Sequence, residues 1–166
     1  MRYGRTARVL WLVPVIIVSL FTVLQAATAP KIKLKDLEGK EFTLEQALAS
    51  GPVLLDFWAT WCAPCIKAMP KLIKLKDKYE SQGLTVVTVN EDGPRNLVKV
   101  RLFLKKHKLD FRVLLDLNSA VMNRYRINSL PATVLIAPSG EISYFHRGYK
   151  PGDEIMLEEE ILKILE

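Results

Sequence analysis

The stretch Val53-Leu54-Leu55-Asp56-Phe57-Trp58-Ala59-Thr60-Trp61-Cys62-Ala63-Pro64-Cys65 decides how the rest of the chain is interpreted. Its first six residues are apolar except Asp56, and they follow Gly51-Pro52, which is typical of a buried strand. From Ala63 to Tyr79 apolar residues recur at helical spacing, with lysines on the other side, which predicts a helix. The cysteines therefore lie where a buried strand passes into a helix.

Cys62 and Cys65 are the only two cysteines of the chain, and their spacing lets both sulfur atoms meet at disulfide geometry across the first helical turn. Cys62 would lie at the helix N-terminus, where unpaired amides and the helix dipole favour a thiolate. Cys65 would be more shielded. We therefore predict thiol–disulfide exchange, in which an exposed Cys62 attacks a substrate disulfide and Cys65 resolves the mixed disulfide.

Other roles for two cysteines are less well supported by the sequence. A fold held together by disulfides needs more bridges than one closing so small a loop, and a structural zinc site needs four ligands. His107 and His146 are the only histidines, and both are far from the cysteines in sequence. We interpret them as surface or loop residues and predict no metal site.

The net charge of +6 is concentrated at the N-terminus. Arg2, Arg5 and Arg8 carry half of it, which leaves 21 basic against 18 acidic residues in the rest of the chain. That excess is too small to favour a nucleic-acid-binding surface.

An uncharged run of 21 residues, 9–29, follows the three arginines. It meets the roughly 20 apolar residues needed to cross a bilayer, and its basic flank predicts that the following chain lies outside the cytoplasm. We therefore predict a signal or membrane anchor at 1–29 and one domain at 30–166. Ala27-Thr28-Ala29 has the small-x-small pattern of a cleavage site, but Pro30 is unfavourable just after it, so we favour an uncleaved anchor.

The remaining chain alternates strands and helices. A glycine turn at Gly39 predicts an N-terminal hairpin within 30–45. Further strands are predicted at 84–89, 111–115, 132–137 and 142–146, and further helices at 94–107, at 119–125 and after Asp153, which can cap the last one. This order predicts an α/β fold with a mostly parallel sheet, helices on both faces and 142–146 as an antiparallel edge.

Asp56 is a carboxylate within an apolar strand. Burying it in the charged form would cost several kcal/mol, so its pKa should be raised. Six residues before Cys62, it should lie beneath the helix start and near Cys65, where it could act as the general base that deprotonates Cys65 during resolution. The alternative is an ordinary strand residue at an exposed sheet edge.

The quoted stretch resembles the active-site strand and loop of thioredoxins. Pro70 matches the proline that kinks their active-site helix, and Ser129-Leu130-Pro131-Ala132-Thr133 is similar to their cis-proline loop. The resemblance implies a thioredoxin fold in which this loop packs beside the disulfide and pairs with substrate backbone. It implies substrate-binding roles for a set of five residues: Trp61, Ala63, Pro64, Leu130 and Pro131.

The longer pattern resembles the TlpA/ResA-like branch of that superfamily. The segments 85–90 and 110–116, with a helix between them, are similar to its characteristic insertion, as is 139–141. This resemblance implies a bacterial inner-membrane protein whose catalytic domain lies in the periplasm or another extracytoplasmic space. It also implies disulfide substrates in exported proteins, among them apocytochrome c before haem attachment, and a membrane thiol as electron donor. No nicotinamide or flavin motif is present, so the Cys62–Cys65 disulfide is the only redox group expected.

Three positions need comparison with that branch. Many members carry asparagine where Asp56 stands, and some carry an active-site glutamate near the position of Glu91 or Asp92. The residue after the first cysteine is usually larger than Ala63, which leaves the reduction potential open.

Three other functions remain open at this point. A copper or haem-assembly chaperone could use the two thiolates as soft ligands, with His146 or Met69 as a third. A thiol peroxidase would need threonine where Ala59 stands. A net disulfide oxidant would result if the pKa of Cys62 were strongly lowered.

Overall fold

The computed structural model describes residues 27–166; the predicted signal or anchor lies almost entirely outside the described residues. The strands of this part are β1 (Lys33–Lys35), β2 (Glu41–Thr43), β3 (Val53–Trp58), β4 (Thr85–Asn90), β5 (Arg112–Leu115), β6 (Ala132–Ile136) and β7 (Ile142–Arg147). The α-helices are α1 (Leu44–Leu48), α2 (Ala63–Tyr79), α3 (Leu97–His107), α4 (Ala120–Arg124) and α5 (Asp153–Leu165). Short 3₁₀ turns at Glu80–Gln82 and Pro94–Asn96 follow α2 and precede α3.

The central sheet has five strands in the order β5-β4-β3-β6-β7. β3, β4 and β5 are parallel, whereas β6 runs antiparallel to β3 and β7 antiparallel to β6. The mixed α/β fold is confirmed, but the expectation that only the last strand would be antiparallel is wrong. α4 has five residues and is only about 7 Å long, too short to carry the chain back along the sheet. The chain therefore re-enters the sheet at the end where β5 leaves it.

Helices cover both faces of the sheet, as predicted. Leu54 and Trp58 of β3 pack with residues of α2, α3 and α5 in one buried cluster. Val53, Leu55 and Phe57 pack with residues of α1 and α4 in a second cluster on the opposite face. Because side chains alternate along a strand, Asp56 points to the same face as Leu54 and Trp58, which is the face that α2 covers.

The predicted N-terminal hairpin is present as β1 and β2, with Leu34 opposite Phe42. Asp36 organises the turn by accepting hydrogen bonds from the backbone of Glu38 and Lys40. It is 4% exposed and forms an ion pair with Arg112 of β5, with 2.9 Å between Nε and Oδ2. This ion pair links the hairpin to β5, the edge strand of the main sheet.

The chain joins the folded domain before residue 30. The backbone of Ala29 donates to Gly140, and that of Ile142 donates to Ala27. Residues 27–29 therefore extend the sheet beside the start of β7. In the described part of the chain, no helix combines the length and the apolar character that crossing a bilayer requires.

Two sequence predictions near the C-terminus need correction. The N-cap of α5 is Gly152, not Asp153, whose carboxylate instead accepts from the Lys150 backbone and contacts His146. His146 is not a loop residue: it lies within β7 and is half-buried. The short helix α1 was not predicted from the sequence. Its N-cap is Thr43, whose hydroxyl accepts from the Gln46 backbone.

Candidate active site

Cys62 is the N-cap of α2, and a disulfide joins it to Cys65 in the first turn. The Cα atoms of the two residues are 5.3 Å apart. The backbone N–H of Cys65 donates to Sγ of Cys62 at 3.3 Å. One of the unpaired amides at the helix start thus points at the sulfur that the sequence predicts as nucleophile.

The disulfide is more deeply buried than the sequence analysis expected. Cys62 is 4% exposed and Cys65 is fully buried, because both pack into the cluster that also contains Trp58 and Met69. The prediction of an openly exposed Cys62 is therefore wrong for the oxidised protein. The predicted order holds, since Cys62 is the only one of the two with any exposed surface. An incoming thiolate can reach the disulfide only from the side of Cys62.

The surface around Cys62 is apolar and exposed. Trp61 is 66% exposed, and Ala63 and Pro64 are exposed as well. These three residues flank Cys62 in the chain and carry no charge. The arrangement suits contact with an uncharged segment of a protein substrate, the role that the resemblance implies for them.

The Leu130–Pro131 peptide bond is cis, as the resemblance to the cis-proline loop implies. Pro131 is buried and lies directly before β6, and its carbonyl accepts from the Gly148 backbone at 2.8 Å. Leu130 is half-buried and packs against the cluster that holds the disulfide. The structure therefore places the 130–131 loop at the end of the sheet where α2 begins.

Asp56 is fully buried in β3, the middle strand of the sheet. This excludes the alternative of an exposed edge position. Burial raises the pKa of its carboxyl from its ordinary 3.8 to about 7, and a hydrogen bond from Thr133 Oγ1 at 2.9 Å opposes that rise. Its second oxygen, Oδ2, has no partner among the described residues. A carboxyl with a pKa near neutrality, on the face that α2 covers, can take and return a proton at physiological pH.

Asp92 holds the loop before Cys62 in place, a role that was not predicted from the sequence. It is 7% exposed and accepts a hydrogen bond from the Thr60 backbone at 2.7 Å, while the Thr60 hydroxyl donates to its other oxygen. Asn90 also donates to it, at 2.8 Å. Asp92 thus fixes the loop that leads to Cys62. The sequence holds no signal for this, because the partners are 32 residues apart.

Replacing Asp92 with alanine is expected to lower the free energy of unfolding by about 2–4 kcal/mol, since it leaves a buried backbone N–H and a hydroxyl without a charged acceptor. Chemical denaturation of the full chain measures this effect. Asp110→Ala is the matched control, because the Asp110 side chain is 99% exposed, and it should stay within about 0.5 kcal/mol. Equal effects of the two substitutions would contradict the anchoring role.

Glu91, the other acidic candidate, faces away from the disulfide. Its carboxylate accepts from the Ser119 hydroxyl at 2.7 Å, next to α4 on the opposite face of the sheet. Burial raises the pKa of Glu91, and the nearby charge of Asp116 raises it further. The structure does not bring Glu91 to the cysteines, so it offers no support for a role in the exchange.

Of the two residues considered as a third ligand, Met69 lies in the same buried cluster as the cysteines and His146 does not. The described residues contain no group of three or more His, Cys, Asp and Glu that could hold a metal ion. His146 contacts Asp153, and Met69 is fully buried within α2. At the position where a peroxidase would need threonine, Ala59 is buried and its carbonyl accepts from the Cys62 backbone.

Comparison with known proteins adds independent information. Residues 26–145 match the model of the family described as AhpC/TSA. The chain is 34% identical over 137 residues to the thiol-disulfide oxidoreductase ResA of Geobacillus thermodenitrificans, a match that covers 82% of this chain and 77% of that protein.

Solved structures show the same fold. A crystal structure from Chlorobium tepidum, described as a thiol:disulfide interchange protein DsbE, is 31% identical with a TM-score of 0.78 and is matched over 85% of this chain and 97% of that one. StoA from Bacillus subtilis is 29% identical with a TM-score of 0.67, over 81% of this chain and 98% of StoA. The matched region contains both cysteines, Asp56 and the cis-proline loop.

Proposed function

Because this chain belongs to the AhpC/TSA family and is a thiol–disulfide oxidoreductase of thioredoxin fold, we propose that it acts outside the cytoplasm as a net reductant of disulfides in exported proteins. Apocytochrome c before haem attachment is one such substrate. Electrons come from a thiol donor in the membrane, and the Cys62–Cys65 disulfide is the only redox group that the reaction needs. The observation that carries the reducing direction is the environment of Cys62.

Apart from its position at the N-terminus of α2, little in the environment of Cys62 stabilises its thiolate. A single hydrogen bond, from the Cys65 backbone, reaches Sγ of Cys62 among the described residues. The two residues between the cysteines, Ala63 and Pro64, carry no charge. Strong oxidants of this kind depend on a much stabilised thiolate, which makes the reduced form favourable. A weakly stabilised thiolate instead supports a reductant.

The charge of Asp56 also favours a reductant. When its carboxyl loses its proton, a negative charge appears on the face of the sheet that holds both cysteines. Like charges disfavour each other in a buried site, so a thiolate beside this carboxylate is harder to form. The reduced protein is thereby destabilised relative to the disulfide, which makes it a better electron donor.

The extracytoplasmic location rests on the N-terminal sequence. Arg2, Arg5 and Arg8 precede the uncharged run 9–29, a pattern that keeps the basic end in the cytoplasm and exports the rest. Cleavage after Ala29 would remove the hydrogen bonds that Ala27 and Ala29 make with Ile142 and Gly140. These contacts support an uncleaved membrane anchor.

The reducing function is tested by the reduction potential. We expect the full-length protein, equilibrated with glutathione or thioredoxin redox couples, to have a potential below about −200 mV, in the range of glutaredoxin and thioredoxin. The reduced fraction is read from thiol alkylation and mass spectrometry. A potential near −120 mV, that of a strong oxidant, would overturn the reducing direction while leaving the exchange chemistry intact.

A further inference from the structure

Three residues on neighbouring strands form one row across the sheet. Asp56 of β3 lies opposite Thr133 of β6, and Thr133 lies opposite His146 of β7. Directly opposed residues of antiparallel strands present their side chains on the same face, with Cβ atoms about 5 Å apart. The row therefore starts at the buried carboxyl and ends at the edge of the sheet, on the face that α2 and α5 cover.

The exposure of the three side chains increases along this row. Asp56 is 0% exposed and Thr133 8%, while the side chain of His146 is 30% exposed. The Thr133 hydroxyl donates to Asp56 at 2.9 Å. His146 continues to α5, where its Nε2 lies 3.0 Å from Oδ2 of Asp153. A series of polar groups thus leads from the core to the surface through an otherwise apolar layer.

A small cavity connects the middle of the row to its outer end. It measures about 20 Å³ and is lined by Thr133, His146 and Asp153, among others, but not by Asp56. That volume and this polar lining are sufficient for one water molecule. Pro131 of the cis-proline loop and Ala68 of α2 line the same cavity, so it adjoins the elements that carry the disulfide.

We propose that Thr133, His146 and Asp153 conduct the proton between Asp56 and solvent during each exchange cycle. This inference rests on the proposed function, in which the Cys62–Cys65 pair reduces substrate disulfides, and on Asp56 being the base for Cys65, as the sequence predicts. His146 and Asp153 touch no reacting atom and act through Asp56, so they are positioning residues. From the sequence His146 was expected to be a surface or loop histidine; its contact with Asp153, seven residues away, arises because the start of α5 packs beside β7.

The resolving step is the step in which Asp56 receives a proton. The Cys65 thiol gives its proton to the Asp56 carboxylate while Cys65 Sγ attacks Sγ of Cys62. The Cys62–Cys65 bond forms, the bond from Cys62 to the substrate breaks, and its electron pair leaves on the substrate sulfur, which takes a proton from solvent. The substrate is reduced and the protein oxidised, and Asp56 is left protonated in a fully buried position.

The Cys65 thiolate released when the donor re-reduces the disulfide can take this proton back. Asp56 must, however, be ionised before it can accept the Cys65 proton, and with its pKa raised to about 7 many molecules carry a proton on Asp56 near neutral pH. That proton must reach solvent before resolution, and Thr133 is the only hydrogen-bond partner of Asp56 among the described residues. If the Thr133 hydroxyl rotates, it can accept from Asp56 and donate to a water in the cavity. When Nε2–H of His146 donates to Asp153, Nδ1 becomes the acceptor of the imidazole. The proton then leaves through the half-exposed histidine.

The other titratable groups that line the cavity are not part of the proposed route. Lys71 of α2 and Glu154 of α5 pair with each other at 2.9 Å. Tyr149 donates to Glu154, and burial raises the pKa of Tyr144. Asp56 points to the face of the sheet on which the cluster with Cys65 lies, and Thr88 lies opposite it on the other adjacent strand. No charged side chain contributes to its raised pKa.

The chain provides matched controls for two members of the route, Thr133 and His146. Thr88 and Thr133 flank Asp56 on its two neighbouring strands, but only Thr133 donates to it, and the Thr88 hydroxyl has no partner among the described residues. His107, the other histidine, is exposed at the end of α3. Thr88→Val and His107→Gln therefore repeat the chemical changes of Thr133→Val and His146→Gln outside the route.

The test is the rate of resolution in the full-length protein, followed by stopped-flow tryptophan fluorescence in weakly buffered solution at pH 6 to 9. We expect Thr133→Val and His146→Gln each to slow it about tenfold near pH 7, a part of the roughly hundredfold or greater contribution of general-base catalysis. Added imidazole should restore the rate of His146→Gln, because it can deliver and accept protons at the opened cavity. The two control variants should stay within about twofold.

A double substitution separates proton conduction from a structural effect. In the Asp56→Asn background, His146→Gln should cause no further slowing, because no carboxyl proton remains to be conducted. Additive losses, or a slowed rate that imidazole does not restore, would overturn the route. If Asp56→Asn slows resolution and neither route variant does, only the route fails; if Asp56→Asn has no effect, the base role fails as well. Neither outcome depends on the reduction potential.

Discussion

Cys62→Ser is expected to abolish turnover, with a loss of at least about 10⁴-fold in disulfide reduction, because a serine hydroxyl does not form the anionic nucleophile that attack on a disulfide needs. Cys62 caps α2 and receives the Cys65 amide hydrogen bond, and it is the only member of the pair with any exposed surface. Reduction of insulin with dithiothreitol as electron donor, followed by turbidity, measures the loss.

Cys65→Ser is the matched variant, since it makes the same atomic change one turn further along α2. It should retain the first attack and lose the second, so the protein should accumulate as a mixed disulfide with its substrate. Mass spectrometry without added reductant would detect that adduct and identify the partner. If Cys62→Ser trapped the adduct and Cys65→Ser did not, the assigned order of the two cysteines would be wrong.

Asp56→Asn is expected to make the protein more stable and less active. In the unfolded chain the carboxyl ionises near its ordinary pKa of 3.8, whereas burial raises the pKa to about 7 in the folded protein. Between these values the folded protein holds a proton that the unfolded chain has released, so the free energy of unfolding falls as pH rises. At about 1.4 kcal/mol per pH unit, the destabilisation approaches about 4 kcal/mol above pH 7 and vanishes below pH 4.

Asparagine removes this cost, and its side-chain oxygen can still accept from Thr133. We expect the variant to gain about 2–3 kcal/mol at pH 8 and almost nothing at pH 4, part of the gain being offset by burying an amide. Urea denaturation at the two pH values measures the difference. Thr88→Val, at the neighbouring position on β4, is the control and should change stability equally at both pH values.

The same variant should slow resolution by about 100-fold near pH 7, the lower end of what a general base contributes. Attack by Cys62 should remain within about threefold, because Asp56 is fully buried in β3, whereas Cys62 keeps some exposed surface at the start of α2. Stopped-flow measurement of both steps separates them. Unchanged rates with an unchanged pH dependence of stability would show that Asp56 is neither a buried acid nor the base.

Sequence reasoning identified the reacting group because the reaction uses neighbouring residues. A buried strand, two cysteines three positions apart and a helix with Pro64 in its first turn are all local features, and the structure places α2 at the predicted bounds Ala63–Tyr79. Asp56 could be identified for the same reason: a carboxylate within an apolar strand has few interpretations. The cis bond at Pro131 followed only from resemblance, since most X–Pro bonds are trans.

Apart from the short helix α1 and the N-cap of α5, the features that could not be predicted from the sequence depend on residues that are far apart in the chain. Asp92 binds Thr60 across 32 positions, and Asp56 binds Thr133 across 77. The direction of β6 depended on the length of α4, and the burial of Cys62 on how α2 packs over the sheet. None of these follows from periodicity, which describes one element at a time.

The sequence by itself determined which atoms react, because nucleophile, resolving thiol and helix start lie within a few residues and are fixed by backbone geometry. Only the tertiary structure decided the surroundings of those atoms. It determines which side of the disulfide is accessible, which residues hold the loop before Cys62, and how β6 and β7 place Thr133 and His146 in one row with Asp56. These properties arise from strand register and packing, which form only when distant segments fold together.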